Sequence, residues 1–238
     1  MKMAIGCELI LMSLCIGGCG DKQGASYYQL PGAPVESEYY IDSFYEARGL
    51  SLIKEELSVN NGRVFLCVKI EGERTSNYAT QKIRESIGDY GGKYIRVDPI
   101  NKAVCDHFLR LDVSSGQTFN GVSPGGSLGR IVSLFGATAY PELINKVGGY
   151  KSQELDGYSK NDPPFWWQSE DYFWYHKKLD ELSEDDLFLL DPVLLLCFDE
   201  MPEDKEQTLT VTLTDTDGKK LSVTGTFIFP ENSEKPQE

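Results

Sequence analysis

Near its C-terminal end the chain reads QTLTVTLTDTDGKKLSVTGTFIF, residues 207–229, and the strict apolar–polar alternation there imposes a period of two residues. That period belongs to a strand with one buried face, because a helix needs apolar residues every three to four positions. Leu209, Val211 and Leu213 share one face, Leu221, Val223, Phe227 and Phe229 share one face after the turn, and threonines fill the other side. The same pattern sets the register. A two-residue Asp217–Gly218 loop would place Leu213 opposite Ser222, whereas a three-residue loop, Thr216 to Gly218, places Leu213 opposite Leu221 and Val211 opposite Val223. The sequence therefore predicts an antiparallel hairpin closed by a bulge turn with Gly218 at positive φ.

A hairpin needs further strands to bury its apolar face. RVFLCVKIEG follows the turn-forming Asn60-Asn61-Gly62 and places Val64, Leu66, Val68 and Ile70 on one face. EYYIDSFYEA, LSLIKEELSV, KYIRVDPI, HFLRLDV and VLLLCFDE also read as strands. Helical spacing interrupts them. Ala79, Ile83 and Ile87 recur at four-residue steps over Asn77–Ile87, with Ser76 as N-cap and Gly88 as stop. Ser127 caps a second expected helix through Leu128, Ile131, Val132 and Phe135, a third runs from Pro141 to Gly148-Gly149, and Ser169 caps a fourth through Tyr172, Tyr175, Leu179 and Leu182. The expected fold class is α+β and β-rich: an immunoglobulin-like β-sandwich with a few short helices inserted in the middle region. Residues 39–230 form the globular domain, with two subdomains meeting near 150–165 as the alternative, and residues 231–238 are a disordered tail.

The chain begins MKMAIGCELILMSLCIGGC, one early lysine and then an apolar run from Leu9 to Ile16. That run is eight residues, against the ~20 required of a membrane-spanning helix, so it reads as a signal peptide over residues 1–18. Ile16-Gly17-Gly18-Cys19 resembles the lipobox of bacterial lipoproteins. The resemblance implies cleavage before Cys19 and a diacylglycerol on its sulfur, and Gly20 in place of Asp implies the outer membrane, its facing side open. Each buried methylene of such an anchor contributes about 0.8 kcal/mol, so the folded part itself needs no lipid contact. Residues 19–38 mix Gly, Pro, Ser and charge without periodicity and suit a flexible tether.

Charge and cysteine usage narrow the function classes. The formal charge of -14 repels phosphate backbones, so nucleic acid is not an expected partner. Cys67 and Cys197 lie in apolar strands and read as small buried hydrophobes. Cys105, Asp106 and His107 adjoin one another, but no second ligand pair follows at finger-like spacing, and the only other histidine is His176. The DTDG turn puts Leu213 and Thr224 where a calcium loop needs oxygen-rich ligands. No metal or cofactor is expected.

Two motifs carry possible chemistry. GVSPG, Gly121 to Gly125, matches the Gly-x-Ser-x-Gly pattern of a serine hydrolase's nucleophile elbow, and Asp156, Asp162 or Asp171 with His176 would complete a triad. Glycine makes up 23 of 238 residues, which favours chance matches. Pro124 decides the point: the residue after the serine must donate its N–H to the oxyanion hole, and proline has none. Losing one such donor costs roughly 100-fold to 1000-fold in rate, so Ser123 is not expected to be catalytic. The second motif is FWWQSEDYFWY, residues 165–175, seven aromatics in eleven positions. Trp166, Trp167 and Trp174 would cover the C–H faces of sugar rings while Asp162, Gln168 and Asp171 bind hydroxyls, or the rings pack into the core. The acidic run Asp180–Asp186 reads as a solvated face.

Signal, lipobox, tether, small helices and closing hairpin together resemble the uncharacterised lipoproteins of about 200 residues found in Bacteroidetes. That family brings no catalytic residues. The resemblance and the residues imply a lipid-anchored envelope protein, not an enzyme, acting as a binding or assembly module with a glycan or protein partner.

Overall fold

A computed structural model describes residues 35–37, 41–54, 56–60, 62–89, 94–96, 102–139 and 173–230. Its strands in chain order are β1 (Val35–Ser37), β2 (Phe44–Leu52), β3 (Ser58–Asn60), β4 (Arg63–Arg74), β5 (Tyr94–Arg96), β6 (Ala103–Val104), β7 (Phe108–Ser115), β8 (Val132–Thr138), β9 (Phe173–Lys178), β10 (Val193–Phe198), β11 (Glu206–Asp215) and β12 (Lys220–Ile228). Among the described residues one helix, α1 (Asn77–Ile87), lies between β4 and β5, and 3-10 turns occupy Leu179–Glu181 and Asp185–Leu187. β1 and β5 pair with each other, so the last residues of the stretch read as a tether enter a sheet.

The hairpin forms in the expected register. Leu213 pairs with Leu221 and Val211 with Val223, and Gly218 has φ +80°. The Gly218 N–H donates to the Asp215 carbonyl at 3.1 Å, and the Asp215 side chain accepts from the Asp217 and Lys219 amides at 2.9 and 2.8 Å. That aspartate spends its lone pairs on the turn. On the outer face the hydroxyls pair across the strands, Thr208 with Thr226, Thr210 with Thr224 and Thr212 with Ser222, at 3.1, 2.9 and 3.0 Å. β7 completes this three-stranded sheet in the order β12-β11-β7.

The larger sheet runs β6-β2-β4-β10-β8-β9, with β3 hairpinned onto β4. Val64, Leu66, Val68 and Ile70 of β4 share one core with Leu194, Leu196 and Phe198 of β10, Leu209, Val211 and Leu213 of β11 and Leu111 and Val113 of β7. Two sheets thus close on one apolar layer, a β-rich sandwich. The alternate residues of the larger sheet, Phe65, Cys67, Phe135, Ala137, Leu195 and Cys197, face a second core with Ile41 and Phe44. A strand between two cores carries apolar residues on both faces, which is why β10 reads VLLLCF instead of alternating.

Helix α1 matches its expected bounds: Ser76 accepts from the Ala79 amide at 3.3 Å, and Gly88 closes it at φ +78°. The expected helix after Ser127 is corrected. Val132–Thr138 is a strand, buried at every position between β10 and β9. Leu128, Ile131, Val132 and Phe135 satisfy helical spacing only because a doubly buried strand has no polar gaps. The Ser127 hydroxyl instead donates to Asp112 at 2.5 Å. The expected helix through Tyr172, Tyr175, Leu179 and Leu182 is also corrected, since Phe173–Lys178 is a strand antiparallel to β8 and only Leu179–Glu181 coils. Aromatic side chains favour the pleated surface, and the open edge of β8 supplies the ladder. The third expected helix, from Pro141, lies outside the described residues.

Candidate functional site

The GVSPG stretch lies in a loop between β7 and β8. Phe119 and Val122 exchange backbone hydrogen bonds at 3.0 and 2.9 Å, and Gly125 donates to the Ser115 carbonyl at 2.7 Å. Ser123 sits exposed on the turn, its own carbonyl accepting from Gly126 at 2.9 Å. An elbow delivers its serine from a strand directly into a helix, with amides converging on the reacting atom. Here strand leads to loop and loop to strand, and the amide beside Ser123 is replaced by the Pro124 ring. Asp156, Asp162 and Asp171, the expected third members of a triad, lie outside the described residues. His176 stands on β9 opposite Phe135, and the two rings stack at 3.9 Å with an interplanar angle of 14°.

Of the aromatic stretch, Trp174 is placed on β9, paired with Ala137. Trp166, Trp167, Gln168 and Asp162 lie outside the described residues. The next aromatic along, Tyr175, is fully buried, and its hydroxyl donates to the Asp186 carbonyl at 2.5 Å. Packing therefore claims Tyr175.

Asp186 corrects the reading of Asp180–Asp186 as a solvated face. Asp180, Glu181, Glu184 and Asp185 are exposed, but Asp186 is buried. Its carboxylate accepts from Lys177 Nζ at 2.6 Å and from the Ser183 hydroxyl and amide at 2.7 and 2.8 Å. Burial pushes this carboxyl upward, but the Lys177 and Ser183 donors outweigh it and hold the group below its ordinary value. The sequence signal is S-x-x-D, Ser183 to Asp186, a spacing that folds a carboxylate back onto a turn amide.

A row of potential nucleophiles crosses the larger sheet: Cys197, Ser133 and Lys178 are successive register partners on β10, β8 and β9. Its chemistry is quenched. Ser133 donates to Asp199 at 2.7 Å, and Lys178 pairs with the same carboxylate. Burial, reinforced by Asp199, pushes the Cys197 thiol up to about 12, so no thiolate forms at neutral pH. Cys67 and Cys105 are likewise pushed to about 12 by burial, and these three of the chain's six cysteines are free, as small hydrophobes are. Cys105, Asp106 and His107 do not converge. The Cys105 thiol contacts the Tyr45 carbonyl at 3.3 Å, Asp106 accepts from the Ala47 amide at 2.6 Å, and the His107 ring packs on Phe188 at 4.7 Å.

Among the clefts lined by described residues, two bear on the candidate sites. One, between Tyr45, Lys69, Glu71, Lys102 and Pro192, encloses about 130 Å³. That is less than the ~300 Å³ at which small-molecule sites begin. The other is a shallow groove of about 320 Å³ between Leu109, Asp112, Ser127, Asp180 and Leu182. Its polar groups serve one another: Arg110 donates to Asp112 at 2.9 Å, and Ser127 donates to the same carboxylate at 2.5 Å. In comparisons with known proteins, no family model, curated sequence or solved structure matches this chain.

Proposed function

We propose that the chain is a lipid-anchored protein of the outer membrane whose folded part is a non-enzymatic binding or assembly module. The observation that carries this reading is Ile16-Gly17-Gly18-Cys19 at the end of a short apolar run. No helix among the described residues is long and apolar enough to cross a membrane. The exposed, proline-flanked turn at Ser123 and the self-satisfied polar clusters support the non-enzymatic half. The immunoglobulin-like assignment belongs to the same proposal, supported by the antiparallel β12-β11-β7 sheet lying across a shared core from the larger one.

Expressed in a bacterium with lipoprotein-processing enzymes, the chain is expected to begin at Cys19 with a diacylglycerol thioether, read by mass spectrometry of the N-terminal peptide. Cys19→Ala is expected to release it from the membrane fraction. An uncleaved or unlipidated N-terminus would remove the anchor from the proposal. A fluorophosphonate adduct at Ser123 would replace the binding role with a hydrolase.

A second reading, a surface glycan-binding lipoprotein, is favoured by the crowding of all three tryptophans into residues 166–174. It predicts that some neutral oligosaccharide quenches or shifts tryptophan fluorescence and that Trp166→Ala and Trp167→Ala abolish the response. Silence across a broad glycan panel, with both variants merely less stable, would leave the assembly role.

A further inference from the structure

We infer that β12 is the docking edge for a second copy of this chain, the two strands pairing antiparallel about a two-fold axis at Thr224 so that their β12-β11-β7 sheets join into one. Among the described residues β12 pairs with β11 alone. The Asp215 amide donates to the Lys219 carbonyl at 3.0 Å and the Phe229 amide to the Lys205 carbonyl at 2.8 Å, one at each end of an unbroken register. Odd-numbered residues of β12 therefore bond to β11, and in an antiparallel ladder the even-numbered ones turn their N–H and C=O the other way. Lys220, Ser222, Thr224, Thr226 and Ile228 thus line an open edge, and all five are exposed, Ile228 to 74 %. β2 meets the strand from the inner side, where Leu52 lies 2.7 Å from the place a Gly225 Cβ would take, which leaves the outer face uncovered.

Edge strands are ordinarily guarded against such pairing by charge, proline, bulges or shortness. Other edges of the two sheets carry those guards. β2 is bulged between Ala47 and Gly49, and β7 is irregular opposite Thr214 and Asp215 and bridged to Ser127 through Ser114. β6 has two residues, and β9 ends in Lys177 and Lys178. β12 runs nine residues in unbroken register, and from Leu221 to Phe229 it holds neither a charge nor a proline.

Self-complementarity selects the occupant. Pairing about Thr224 overlaps the whole strand with its copy: Thr224 meets Thr224, Ser222 meets Thr226 and Lys220 meets Ile228. Every outward-facing residue then has an outward-facing partner, and each pair exchanges two hydrogen bonds. A chain of charge -14 repels its copies at long range, but this contact is neutral except at its ends. There Lys220 comes one strand away from Glu206 of the second copy, the β11 residue paired with Ile228. Two strand spacings, about 10 Å, separate their Cα atoms, within reach of lysine and glutamate side chains on one face. Symmetry supplies that ion pair twice. The inference stands whether or not Cys19 carries lipid, because the edge lies within the folded part.

The full chain is measured in detergent solution by light scattering coupled to size exclusion. The wild type is expected to be a dimer that dissociates on dilution. Thr224→Lys and Thr224→Glu each set like charges on the axis and are expected to weaken dimerisation by roughly tenfold or more, whereas the two variants mixed should pair. Thr224→Pro removes an outward N–H without touching the β11 ladder, so it should be monomeric with its sheet circular dichroism intact. Residue-resolved hydrogen exchange locates the contact. Amides of residues 222, 224 and 226 should be protected in the wild-type dimer and exchange freely in Thr224→Lys, while those of Val223 and Gly225 stay protected in both. A wild type that is monomeric at every concentration at which it stays in solution would overturn the inference. So would a folded Thr224→Lys that remains fully dimeric, or a dimer in which amides 222, 224 and 226 exchange freely.

Discussion

Replacing Gly136 with alanine is expected to cost at least ~3 kcal/mol, beyond the usual range for an added methyl group in a core, and to lower the Tm by roughly 6–12 °C. Gly136 faces Tyr175 across the β8–β9 ladder, and the tyrosine ring fills the space where a Cβ on residue 136 would stand. A Cβ at position 136 would stand 2.1 Å from Cζ, 2.3 Å from the hydroxyl oxygen and 2.5 Å from Cε2 of Tyr175, well inside contact distance. The ring has no other place to go, because it is fully buried and tethered through its hydroxyl to the Asp186 carbonyl. β8 cannot yield either, being buried at all seven positions. A total stability of about 5–15 kcal/mol makes this a large fraction. The test is a double-mutant cycle by urea denaturation. Tyr175→Ala removes the ring, so in that background Gly136→Ala should be nearly neutral, a coupling of several kcal/mol between the two sites. Additive effects, or a single Gly136→Ala variant within about 1 kcal/mol of wild type, would show that the ring can move aside.

The same pair explains which parts of the fold are legible in the sequence. The hairpin and α1 are readable because independent local rules agree. Alternation, turn length and Gly218 specify one register at β11–β12, and Ser76, the apolar spacing and Gly88 specify one helix. β8 and β9 mislead because the rule behind the reading, a single buried face, does not hold where a sheet lies between two cores. Leu134 points to one core and Phe135 to the other, so VSLFGAT offers contiguous apolar residues and helical spacing arises by default. Gly136 and Tyr175 lie 39 positions apart in the sequence and meet only through the register, so neither announces the other. At the candidate sites, the expectation for Ser123 is local and rests on Pro124 alone. The burial of Asp186 is not local, because its charge partner Lys177 comes from the preceding strand.

That carboxylate gives the chain a defined response to acid. Asp186→Asn is expected to cost about 2–3 kcal/mol at pH 7, because it weakens a bond from Lys177 and two from Ser183 in a buried setting. The effect should fade as pH falls. The folded-state pKa of Asp186 lies below its ordinary value, since the Lys177 and Ser183 donors outweigh burial. Its contribution is therefore complete above the unfolded-state pKa of about 3.9 and is lost as pH drops through the lower folded-state value. Asp89 and Asp106 act in the opposite sense. Burial outweighs the amide bonds they accept from Ile41 and Ala47 and raises both above the ordinary range. The folded state therefore takes up their protons first, and these two sites gain stability as pH falls through their folded-state values toward the unfolded one. The whole-protein profile sums these opposing slopes and cannot reveal Asp186 by itself, but the difference between wild type and Asp186→Asn can. Measured by urea denaturation, that difference should be flat from pH 7 to about 5 and shrink steadily below about pH 4. A difference that stays constant to pH 2 would mean that the carboxylate's charge contributes nothing and that only the shape of the side chain matters in the turn it holds.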